Sequence, residues 1–132
     1  MRRRLFSLEE ARQTLPWLET KFHEMDPIIE KLSKTEEHSE LLKRKTRGNG
    51  HHNIDTEMAE IRREEEELRS QAAKVVEEIN DRGIIVRDIR MGLVDFPSMS
   101  GQREIFLCWV RGEKSIDWWH GTNEGYSSRK PL

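Results

Sequence analysis

The chain has 132 residues, 34% of them hydrophobic and 36% charged, with a net charge of -2 and a pI near 6.2. That length suits a single domain, 1–132, but the apolar fraction is thin for a compact globule, so part of the chain is expected to stand in solvent. Acids and bases are interspersed and no apolar run reaches membrane-spanning length, which argues against a nucleic-acid or membrane partner; one cysteine, Cys108, excludes an intrachain disulfide and any multi-thiolate metal site.

After Arg2-Arg3-Arg4 the sequence LFSLEEARQ turns charged before an apolar stretch develops, so no signal segment is read there, and a lone cysteine in an apolar run fits a reduced compartment. The expectation is a cytoplasmic protein. Residues 7–82 carry helical periodicity. Ser7 with Glu10 forms a capping box, and Phe6 is placed to staple onto Ala11. Pro16 lacks an amide donor and crowds the preceding turn, so a short first helix should bend near 16, with a second kink near 27 at Pro27. From Leu15 the apolar positions run Leu18, Phe22, Met25, Ile28 or Ile29, and Leu32. A second helix from about Ile54 continues the pattern through Met58, Ile61, Glu65, Leu68, Ala72, Val75 and Ile79, with Gly83 as its C-terminal stop.

The link TRGNGHHN, 46–53, is long enough only to reverse the chain, so the helices are expected to form an antiparallel hairpin with Thr35 or His38 near Glu65. Helices of about thirty residues would be about 45 Å long, more than the remaining chain can cover. The tip either projects bare or packs on another copy, and a homo-oligomer is the expected state.

After Gly83 the period switches to alternation. GIIVRDI, GLVDFP, REIFLCWV and SIDWWH read as four strands of an antiparallel meander over 83–120, followed by a tail, 121–132. The fold class is therefore α+β. With simple turns after Pro97 and Val110, Asp95 lies opposite Ile105 and Ile105 opposite His120. One face then carries Leu93, Asp95, Ile105, Leu107, Trp109, Ile116, Trp118 and His120, and the other Val94, Phe96, Phe106, Cys108, Val110 and Trp119. Both faces are apolar. A helical hairpin covers only one, so the tail or a second subunit is expected on the other.

GLVDFP from Gly92 to Pro97, REIFLCW to Trp109, Gly112-Glu113, Trp119-His120, Gly125, and Arg129 to Leu132 resemble the signature of the domain of unknown function 2203 family, uncharacterised prokaryotic proteins. The opening SLEEARQTLPWL is similar to that family's start, so the likeness spans nearly the whole chain. It departs at His51 and His52, and Tyr126 stands where a phenylalanine is expected. The resemblance implies this architecture and brings no activity, substrate or catalytic residue.

Asp95 and His120 are the candidate site residues, because each interrupts an apolar face and a buried carboxylate must find a donor. In the register above they stand about 9 to 10 Å apart, too far for a direct bond, and would flank a small ligand, with Arg129 offering a fork for a carboxylate or phosphate and Glu113 and Trp119 beside them. The plainer alternative is structural: Asp95 capping an amide, His120 bonded to a carbonyl, Arg129 pinning the tail. The helices lack Glu-x-x-His pairs, and His51-His52 diverge on regular structure, so no metal and no cofactor is assigned. Cys108 reads as a small hydrophobe and no nucleophile elbow exists. The favoured reading is a self-associating interaction or scaffold module without turnover. The rival is a small-ligand or metal-dependent enzyme around Asp95, His120 and Arg129, which requires those three to converge on an accessible pocket.

Overall fold

A computed structural model describes residues 4–45 and 52–132. The order is α1 (Leu8–Lys45), α2 (His52–Asp81), β1 (Ile85–Asp88), β2 (Leu93–Ser100), β3 (Arg103–Val110), β4 (Trp118–Gly121), a 3-10 turn (Tyr126–Ser128) and β5 (Lys130–Pro131). Two helices form a hairpin and an antiparallel sheet follows. Most of the expected link, including His51, lies outside the described residues. The chain divides into two compact units, one from residues up to 23 with 75–132, the other 24–74.

The capping box forms: the Glu10 amide donates to Ser7 Oγ at 3.0 Å and the Ser7 amide donates to Glu10 Oε1 at 3.2 Å. Helix α1 then continues through Pro16 and Pro27. Both prolines sit on the exposed side, as do Arg12 and His23 four residues earlier, the residues whose carbonyls a non-proline amide would have met.

In the first unit, Leu18, Phe22, Ile79 and Ile84 are buried, and Phe22 lies 6.4 Å from Trp109 of β3. Phe6 packs edge-on against Phe96 of β2 at 5.2 Å. The sheet face bearing Val94, Phe96, Leu107 and Trp109 is thus the one that meets the start of α1. In the hairpin unit Met25, Leu32, Ile61, Leu68 and Ala72 are buried, as the periodicity requires. Of the two residues expected near Glu65, His38 lies instead 4.0 Å from Glu57, and Glu65 pairs with Arg69 one turn along its own helix.

The sheet has five strands in sequential order rather than four. The fifth is two residues long and contains Pro131, which an edge strand tolerates; it pairs with Trp118 and Trp119, and the Leu132 amide donates to the Asp117 carbonyl. The turn positions also differ from expectation. β2 does not stop at Pro97 but runs to Ser100, paired with Arg103 across a two-residue loop whose first residue, Gly101, has φ +63°. Pro97 is accommodated because β1 pairs only with residues 93–95, leaving that side of β2 to the segment before α1: the Phe6 amide donates to the Pro97 carbonyl at 2.7 Å, and Ser98 Oγ donates to the Phe6 carbonyl.

Candidate functional site

The longer β2 changes what the sheet brings together. Asp95 is opposite Cys108 instead of Ile105, a slip of three, and Ile105 is opposite Gly121 instead of His120, a slip of one. Each odd slip turns a strand over relative to its neighbour. The two cancel between β2 and β4, so Asp95 and His120 do share a face, but β3 is inverted between them. Phe106 and Cys108 join Asp95, Trp118 and His120, while Ile105, Leu107 and Trp109 join Val94, Phe96 and Trp119 on the helix-facing side.

The expected separation of Asp95 and His120 is corrected as well. His120 Nε2 is 2.9 Å from Asp95 Oδ1, with both residues 2% exposed or less. Strand spacing measures backbone distance, and these side chains reach toward each other across the strand that carries Cys108. His120 Nδ1 donates to the Gly121 carbonyl at 2.9 Å, a direction fixed because a carbonyl oxygen only accepts. Both imidazole nitrogens are therefore engaged. In this arrangement His120 has no free lone pair with which to take a proton from a ligand, so the pair differs from the nucleophile-activating kind.

Arg87, which sequence reasoning missed, completes the pair: its Nε donates to Asp95 Oδ2 at 2.9 Å and its guanidinium lies 5.2 Å from the Phe106 ring. It sits at an irregularity of the β1–β2 register, between Val86 and Asp88. The signal was available, since Arg87 alternates onto the face of Ile85, the residue opposite Asp95, and a buried acid calls for a cation. The side chain of Arg87 is 43% exposed, so it bridges the buried carboxylate to solvent.

Arg129 does not enter this pair. Its Nη1 contacts both Glu113 oxygens at 3.1 Å, and its guanidinium lies over Trp118 and Tyr126 at 5.0 and 4.5 Å. Burial lowers the Arg129 pKa, but the Glu113 carboxylate and, after it, Cys108 together more than offset this and the net shift is upward. Glu113 also receives the Val110 amide at 2.7 Å, and its carbonyl accepts from Trp109 Nε1. These two candidates form a clamp between the β3–β4 connection and the tail. Trp119 faces the other side of the sheet, beneath Lys130 Nζ at 4.8 Å.

Cys108, fully buried, lies next to Asp95. Burial first, and then the Asp95 charge, push its thiol pKa up to about 12, so it stays protonated at neutral pH and is no nucleophile. Over the Asp95–His120 pair opens a pocket of about 440 Å³, lined also by Arg87, Leu93 and the loop 122–126. Glu124 in that loop is held by the Gly121 amide at 2.8 Å and by Lys130, and these bonds lower its pKa in that order.

Residues 4–132 match a family described as an uncharacterized conserved protein, DUF2203. The chain belongs to the DUF2203 family. The match covers both helices and every strand of this DUF2203 protein, including the segments that carry Asp95, Cys108, His120 and Arg129. No curated protein and no solved structure matches it. Among the described residues, no helix is long and apolar enough to cross a membrane.

Proposed function

We propose that this DUF2203 protein is a binding module for a small polar molecule, held above the Asp95–His120 pair. One observation carries the reading: a buried, fully bonded acid–histidine pair forms the floor of a pocket of about 440 Å³, a volume within the range of small-ligand sites. Arg87 offers a half-exposed fork at one wall, and Tyr126, 45% exposed, an aromatic surface at another. Turnover through Cys108 or through general-base action of His120 is disfavoured by the protonated thiol and the occupied imidazole. The test is a screen of small polar fragments followed by protein-observed NMR. The reading expects amide shifts concentrated in 122–126 that disappear in Arg87→Ala and Tyr126→Ala variants. Shifts that avoid this loop, or that survive both substitutions, contradict it.

Self-association is the second reading, favoured by one feature of the hairpin unit. Leu41 is 54% exposed in a depression of about 420 Å³ flanked by Glu37, Glu40 and Arg44. Ile61 and Leu68 are already buried within one chain, so charging them tests folding rather than assembly. Light scattering on a Leu41→Lys variant is the sharper probe: a mass that falls relative to the unaltered protein supports association through this surface, and an unchanged mass removes it.

A further inference from the structure

We propose that Asp95, Cys108 and His120 form a site for one divalent cation of the zinc class, with a fourth coordination position opening into the pocket. Asp95 Oδ, Cys108 Sγ and a His120 ring nitrogen lie within 4.8 Å of one another, one from each of three neighbouring strands, and all three residues are buried. A carboxylate oxygen, a thiolate sulfur and an imidazole nitrogen make a mixed hard and soft donor set, which suits zinc and disfavours magnesium or calcium. Tetrahedral bonds of about 2.0 to 2.3 Å separate ligand atoms by about 3.3 to 3.8 Å. Reaching that spacing asks the 2.9 Å Asp95–His120 contact to open by a few tenths of an ångström, while the Cys108 sulfur already lies within 4.8 Å of both partners.

The surroundings already have the form of an outer shell. His120 donates its other ring nitrogen to the Gly121 carbonyl, which leaves Nε2 for a ligand role, and Asp95 keeps Oδ2 on Arg87 while Oδ1 turns inward. Two guanidiniums nearby do not block a cation. Arg87 is matched by Asp95, and Arg129, which interacts with Cys108, is matched by Glu113. With the thiol deprotonated, the local balance is three negative groups against two positive ones, which a divalent ion improves. Asp95 and His120 line the pocket and Cys108 does not, so the open position faces the cavity. The ion displaces the thiol proton and the proton of the Asp95–His120 hydrogen bond, both to solvent, and no redox step is involved.

The site stands apart from the fragment-binding reading, since an ion can occupy the cluster with the pocket empty. The probes are cobalt(II) and zinc(II) alone, added to the full chain after chelator treatment. The expected result is one cobalt per chain, with intense visible ligand-field bands of a four-coordinate centre and a near-ultraviolet thiolate-to-cobalt transition, both erased by zinc. Cys108→Ala, a small change in volume, should remove the thiolate transition and weaken zinc binding about tenfold or more, whereas a His51→Ala/His52→Ala variant should change neither. Absence of stoichiometric binding, binding without the thiolate transition, or binding unchanged in Cys108→Ala overturns the proposal. The thiolate transition in the unaltered protein needs no variant to fold, and fragment shifts at 122–126 are scored without metal, so the two readings fail separately.

Discussion

Replacing Asp95 with alanine isolates the buried pair. Asp95 is 2% exposed and holds two partners, and their fates differ when it is removed. Arg87, 43% exposed, can turn to water at little cost. His120, 1% exposed, cannot, and is left with an unmatched ring nitrogen in the sheet. Breaking a buried pair by deleting one member costs about 3 to 5 kcal/mol. Against a total stability of about 5 to 15 kcal/mol that is a large fraction. For a chain of this size it corresponds to a fall in Tm of about 10 to 20 °C. Urea unfolding followed by circular dichroism measures it directly. Removing both partners, in an Asp95→Ala/His120→Leu variant, should cost less than the sum of the two single changes, because no orphaned polar group remains. A single-variant loss below about 1 kcal/mol, or strict additivity of the pair, would refute the reasoning.

Three further outcomes follow from particular contacts. The Cys108 thiol, buried and raised to about 12, should resist iodoacetamide at pH 8 in the folded protein and react promptly once urea unfolds it; equal rates in both states would be inconsistent with its placement. Ser7→Ala should destabilise the chain by about 1 kcal/mol at neutral pH. Bonds from the Ser7 side chain and then its backbone hold the Glu10 pKa below its ordinary value in the folded state, so the Glu10 carboxylate's share of the capping is present above the unfolded value and lost as pH falls through the folded one, while the bond from the Glu10 amide to Ser7 Oγ persists; an acid titration of both proteins should show the Ser7→Ala penalty shrinking without vanishing. Glu113→Gln should loosen the tail that Arg129 pins, read as faster hydrogen exchange of the Leu132 amide, with the core amides of β2 unchanged.

The helices and the sheet were legible in the sequence because their periods are. Leu18, Phe22, Ile61, Leu68 and Ile79 lie where a 3.6-residue repeat puts them, and they are buried. The strand register was not legible, for a local reason. Pro97 reads as a stop, yet it lies where β2 lacks a strand neighbour on its β1 side and docks the Phe6 segment there instead, so the turn falls at Gly101 and every side chain of β3 changes face. That single displacement hid Cys108 from the site and placed Ile105 there in its stead. Asp95 and His120 were recognisable as polar residues in apolar strands, and their common face survived because two odd slips cancel. Their direct bond did not follow from strand spacing, which says nothing of side-chain reach. Arg87 was less legible than Arg129, because the closing tail also offers a cation, one that Glu113 holds in the fold.

The register of β3 between β2 and β4 decides whether an Asp95–Cys108–His120 cluster exists at all, and histidine-resolved NMR addresses it in one experiment. The structure requires a slowly exchanging proton between His120 Nε2 and Asp95, a second on Nδ1 facing the Gly121 carbonyl, and ring cross-peaks to Cys108 and Phe106. A His120 ring in rapid exchange with water, showing cross-peaks to Ile105 and Leu107 in place of Cys108 and Phe106, would place β3 the other way up and remove the site.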